Sequence, residues 1–200
     1  MQRRRQWIAV IAAAAALAGC SSHNPPPAPS VTGPSVPAGP VYAPVPNLCT
    51  VIDLSPLADW YPTHEPNPVH TASQLGANHS MTCWINVTGP AVNGGLVNLT
   101  IETTPSPDAA GRYYAGVQRT KNLTQPDPAA NNVDGVGDQA FTYTAPRIGP
   151  RLVVLSGNAV VTVDWAAGVG AEPGHPPVIV NIVDRLGRLV TGTLARLRST

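Results

Sequence analysis

The sequence predicts a single α+β domain: a mostly antiparallel sheet of about five strands, helices packed on one face, order α-β-β-α-β-β-β-α. Three observations carry this reading. Two pairs of strand-like segments are each joined by a short turn-rich stretch, the mark of hairpins. Ser-Pro pairs open two further segments, as at helix starts. The last segment carries apolar residues at helical spacing.

Element by element, "DLSPLADWY" opens a short helix at Ser55-Pro56. In "NHSMTCWINVTG", Met81, Cys83, Ile85 and Val87 alternate with Ser80, Thr82, Trp84, Asn86 and Thr88, a half-buried strand. After the turn-rich "GPAVNGG", "LVNLTIETT" alternates again, with Val97, Leu99 and Ile101 on the inner face. Ser106-Pro107-Asp108 starts a second helix that runs to about Lys121, with Tyr113, Tyr114 and Val117 as its apolar contacts. Three strands follow, "QAFTYT", "RLVVLS" and "AVVTVDWA", the last two joined at Ser156-Gly157-Asn158. A long helix from Pro176 to about Arg198 shows Ile179, Ile182, Val183, Leu186, Leu189, Val190 and Leu197 at helical spacing. Asp184 and Arg188 stand four apart on its polar side.

Ahead of this domain, Arg3, Arg4 and Arg5 precede the apolar run "WIAVIAAAAALA", the charged and apolar parts of an export signal. The run is shorter than the about 20 residues that span a bilayer. It ends in Leu17-Ala18-Gly19-Cys20, which resembles the lipobox of bacterial lipoproteins. That resemblance implies cleavage before Cys20 and a diacylglycerol thioether on its sulfur. Each buried lipid methylene contributes about 0.8 kcal/mol, so two or three chains anchor firmly. Residues 1–19 are thus read as a lipoprotein signal, 20–48 as the lipidated cysteine and a flexible proline-rich linker, and 49–200 as an extracytoplasmic domain. The linker has no apolar period and cannot fold on its own; fully extended it reaches roughly 80 Å.

Removing the signal takes three of the 12 basic residues and none of the 11 acidic ones, so the formal charge falls from +1 to −2. That balance offers no basic footprint for nucleic acid. Of the three cysteines, Cys49 and Cys83 remain after Cys20. Outside the cytoplasm two such thiols pair, and closing their loop stabilises the fold by roughly 3–4 kcal/mol. Neither zinc-like ligand spacing nor Cys-x-x-Cys accompanies them.

The chain resembles exported actinobacterial lipoproteins of mycobacterial type and unknown function. The shared marks are the lipobox and linker, Cys49 before Leu54-Ser55-Pro56, Cys83-Trp84, and Gly135-Val136-Gly137-Asp138-Gln139-Ala140. No reaction comes with this resemblance. Similar domains form the extracellular parts of some mycobacterial receptor kinases, which implies ligand sensing by analogy alone.

Motifs that suggest chemistry mostly lack their context. "GVGDQA" matches Gly-x-Gly-x-x-Ala, but a loop precedes it and a strand follows, so Gly135 and Gly137 read as turn glycines. "GVGAEPG" from Gly168 lacks the P-loop lysine and a closing strand. His64, His70, His79 and Glu65 cluster in sequence, but "HEPNPVH" is proline-broken and reads as a solvated loop; no metal site is assigned. No Gly-x-Ser-x-Gly elbow is present. Asn-x-Ser/Thr triplets begin at Asn78, Asn86, Asn98 and Asn122 and read as polar strand and loop positions.

What remains is the polar sheet face, where Trp84, Glu102 and Asp164 are candidate ligand contacts beside Asn98 and Thr100; the competing reading is a solvated face with Trp84 under a loop. The expectation is a lipid-anchored module on the outer face of a bacterial cell membrane that binds without catalysis. Its partners are the membrane through the anchor, and an envelope protein or lipid ligand. A carrier or sensor of a small apolar or lipid ligand is the alternative, an envelope hydrolase the third; no catalytic residue or cofactor is assigned.

Overall fold

The computed structural model describes residues 39–89, 92–124, 130–145, 149–167 and 181–198. The chain divides into a unit Met1–Ser35, which lies outside the described residues, and a unit Val36–Thr200. The export signal, Cys20 and most of the linker therefore fall outside them, as do "GVGAEPG" and the first residues of the expected last helix.

The folded unit is α+β, but not as expected. Its strands are β1 (Thr63–His64), β2 (Val69–Leu75), β3 (Asn78–Gly89), β4 (Val92–Thr103), β5 (Asn131–Asn132), β6 (Gln139–Ala145), β7 (Gly149–Ser156) and β8 (Ala159–Ala167). Its helices are α1 (Pro107–Thr124) and α2 (Ile182–Arg198). The strands form one eight-stranded antiparallel sheet in the order β1-β3-β4-β8-β7-β6-β5, with β2 also on β3. Five strands are therefore corrected to eight. The added strand of real length is β2, joined to β3 by a tight turn whose Gly76 has φ +61°. Apart from half-buried His70 its residues are exposed on both faces, so it has no apolar alternation to read. Backbone pairing defines it. β1 and β5 are two residues each, too short for any period.

The first expected helix is a 3-10 turn at Ser55–Leu57, following another at Leu48–Thr50. Leu57 is buried, and Cys49 and Cys83 are joined in a disulfide that fastens this segment to β3. Packing begins before residue 49. Tyr42 is buried; its N–H donates to Asn158 Oδ1 at 2.7 Å, and Asn158 Nδ2 donates back to Tyr42 O at 3.2 Å and to Thr104 O at 2.9 Å. Part of the expected linker is thus tied to the β7–β8 turn.

A second correction concerns the layers. The helices lie on opposite faces of the sheet. Leu152 and Val154 of β7 join Val161, Val163 and Trp165 of β8 in the core under α2, where Leu186, Leu189, Val190 and Leu197 are buried. Val153 and Leu155 point the other way, with Val160, Phe141 and, on α1, Ala110 and Tyr114. The continuous run "LVVL" is the reason: a strand apolar on both faces needs cover on both. Each such buried aliphatic side chain contributes about 1.5–3 kcal/mol.

Local chemistry sets the start of α1. Ser106 Oγ accepts from Ala109 N at 3.2 Å, Pro107 takes the first helical position and Asp108 lies in the first turn. The glycine turn before β6 has φ +76° at Gly135 and +61° at Gly137. A Cβ on Gly137 would sit 2.4 Å from Leu155 O, so the close approach there demands glycine.

Candidate functional site

The antiparallel register lines up side chains across the α1 face of the sheet. One row runs Tyr143, Arg151, Asp164, Asn98, Trp84, Val69 across β6, β7, β8, β4, β3 and β2. At its centre Asp164 is 5 % exposed in its side chain and Arg151 26 %. The guanidinium grips the carboxylate with two N–H groups: Nε donates to Oδ1, and Nη2 donates to Oδ2 at 2.9 Å. Asn98 Nδ2 donates to the same Oδ2 at 3.2 Å, and Arg151 Nη1 donates to Tyr143 Oη at 3.0 Å. Asn98 Oδ1 is buried without a partner among the described residues. The next row holds Thr82 and Thr100, their hydroxyls 3.1 Å apart; beyond it Ser80 Oγ donates to Glu102 at 2.8 Å.

α1 covers only part of this face. It packs on β7 and β8 through Ala110 and Tyr114, while Ser80, Thr82, Trp84, Asn98 and Thr100 of β3 and β4 stay partly exposed. Between helix and sheet runs an open groove of about 700 Å³. One wall is the α1 stripe of Arg112, Tyr113, Val117 and Lys121, at positions that share a helix side. Its floor is Tyr143, Ala145 and Arg151. Lys121 is buried, with Nζ 5.1 Å from the Tyr143 ring centroid; the Arg151 guanidinium lies 5.7 Å from the same ring.

Titration behaviour follows this geometry. Hydrogen bonds to Asp164 raise the Arg151 pKa above the ordinary arginine value, outweighing the effect of burial. Burial raises the Tyr113 phenol, and the charge of Glu102 adds to it. Arg151 lies both on the groove floor and in the row that leads through Asp164 to Asn98 and Trp84, so the groove borders the polar strip.

No family model and no curated protein matches the chain. Among solved structures, the extracellular domain of PknH from Mycobacterium tuberculosis is similar, with 10 % sequence identity and a TM-score of 0.45 over 80 % of this chain and 100 % of that one. A likeness at that level settles nothing about what this domain binds.

Of the expected contacts, Trp84 and Asp164 share one row, separated by Asn98, and Glu102 lies on the same face of β4. The histidines do not meet. His64 pairs with Val87 and His79 stands eight residues further back on β3, about 27 Å away at 3.4 Å per residue. Among the described residues no three His, Cys, Asp or Glu side chains gather as metal ligands. Sequence reading missed Arg151, Tyr143, Lys121 and Arg112 as site residues. The alternation of "AFTYTA" did put Tyr143 on the face of Phe141, but Arg151 begins a run that is apolar on both sides.

Proposed function

We propose that this chain is a lipid-anchored protein of the bacterial envelope whose extracytoplasmic domain binds a partner or ligand without catalysing a reaction. The anchor rests on the Leu17-Ala18-Gly19-Cys20 resemblance. The Cys49–Cys83 disulfide suits an oxidising compartment outside the cytoplasm. The observation that carries the binding role is the β3–β4 half of the sheet face: a polar strip with a half-exposed tryptophan and a paired Arg151–Asp164 floor, bordered by an open groove. Tryptophan and arginine in such settings are the side chains that dominate binding energy.

The test is mass spectrometry on protein extracted gently from its native membrane after crosslinking, wild type against Trp84→Ala. An acylated N-terminal peptide beginning at Cys20 supports anchoring, and a co-purifying species lost in the variant supports binding at this face. An unmodified Cys20 peptide overturns the anchor. Co-purification identical in both proteins overturns the binding face.

A further inference from the structure

We propose that the groove between α1 and the sheet is a binding site for a small molecule carrying one carboxylate or phosphate on an apolar or aromatic body. This rests on the reading of the domain as a binding module and names the ligand class that its groove accepts.

Charge is the first argument. Among the described lining residues, Arg112, Lys121 and Arg151 are cationic and none is acidic. Arg151 is not used up by Asp164. A guanidinium has five N–H groups, and three are engaged, two with Asp164 and one with Tyr143. One N–H on each terminal nitrogen is left over, on a side chain that is a quarter exposed. Two charged donors left over on neighbouring nitrogens suit the oxygens of a carboxylate or phosphate. Asp164 holds the fork in place beneath. Arg112 is exposed and adds a second cation on the opposite wall.

Shape and polarity complete the description. Tyr113 and Val117 on the helix and Tyr143 and Ala145 on the sheet give apolar walls, and about 700 Å³ is the size of a small-molecule site rather than of a protein interface. The ligand is therefore polarised, with its anion over Arg151 and its neutral body along Tyr113, Val117 and Tyr143.

The groove also has a defined place on the domain. Gly39, where the described chain begins, lies at the β7–β8 turn beside Pro107, the first residue of α1. Lys121 and Thr124 are at the other end of that helix, about 20 Å away at 1.5 Å per residue. The groove thus extends along the helix away from the β7–β8 turn.

The experiment is an NMR titration of the ¹⁵N-labelled mature chain, Cys20 to Thr200 with Cys20→Ser, against phenyl phosphate, phenylacetate, benzyl alcohol and inorganic phosphate. The expected result is saturable shifts from the two aromatic anions at amides of Gly116–Lys121, Tyr143 and Arg151. Benzyl alcohol should give no saturation over the same range, and inorganic phosphate weaker binding. Arg112→Gln, an exposed change that leaves the fold's spectrum intact elsewhere, should weaken phenyl phosphate about fivefold, and Arg151→Lys should weaken it by a similar factor. The proposal is overturned if no groove amide shifts, if benzyl alcohol binds as well as phenyl phosphate, if inorganic phosphate matches it, or if both variants bind like wild type. Should the titration fail while the Trp84-dependent co-purification persists, the ligand class is wrong and the binding module stands.

Discussion

Replacing Asp164 by asparagine tests whether the floor of the site is held by charge. The carboxylate accepts three hydrogen bonds, two from Arg151 and one from Asn98. An amide in its place would offer one oxygen to donors that now share two, and would turn an NH₂ toward them. Breaking a fully buried ion pair costs about 3–5 kcal/mol. Arg151 is a quarter exposed, so water recovers part of the loss, and we expect about 2–3 kcal/mol. In urea, with a slope of about 2 kcal/mol/M, the unfolding midpoint falls by about 1–1.5 M. Tryptophan fluorescence reads the transition. The double variant Arg151→Gln/Asp164→Asn removes both charges, leaves neither buried alone, and should recover about 1–2 kcal/mol of the single loss. A D164N stability within about 0.5 kcal/mol of wild type, or a double variant less stable than D164N, refutes the coupling.

Three further outcomes are expected. Cys49→Ser/Cys83→Ser opens a loop of sequence separation 34 and should cost about 4 kcal/mol in the chain-entropy account, seen as a lower urea midpoint that reductant no longer changes. Gly135→Ala, in open space at φ +76°, should cost about 1–2 kcal/mol, whereas Gly137→Ala also drives a Cβ against Leu155 O and should cost distinctly more; equal midpoints would show that the close approach is not real. Hydrogen bonds from Asn86 hold the Glu65 carboxyl below its ordinary 4.5, so its support for the β1–β3 pairing is complete above that pH and lost as pH falls through the lowered value. Carboxyl NMR should find that low titration and amide exchange should find faster opening at Asn86 in acid, both abolished in Glu65→Gln.

Several elements were legible because the physics that forms them is local. The alternation from Met81 to Val87 and from Val97 to Ile101 marks β3 and β4, and the Gly157 turn marks the β7–β8 hairpin. Ser106-Pro107 carries the start of α1 in its own cap. β2 was not legible, since a strand exposed on both faces leaves no apolar period, and its partner β3 supplies the order. Trp84, Glu102 and Asp164 could be placed on the polar side of their strands from parity alone. Their cationic counterpart could not.

By itself, then, the sequence determined which segments are strands or helices wherever one face must be apolar, the polar identity of the face bearing Trp84, and the lipobox-like Cys20 ahead of a proline-rich tether. Only the tertiary structure decided that β4 pairs with β8, which puts Asn98 against Asp164 from 66 residues away, and that α1 and α2 take opposite faces. Periodicity records which way a side chain points relative to its own backbone. Which strand lies alongside is settled by long-range pairing and by the need to cover both sides of "LVVL", and that pairing brings Arg151, Asp164 and Tyr143 together under the helix.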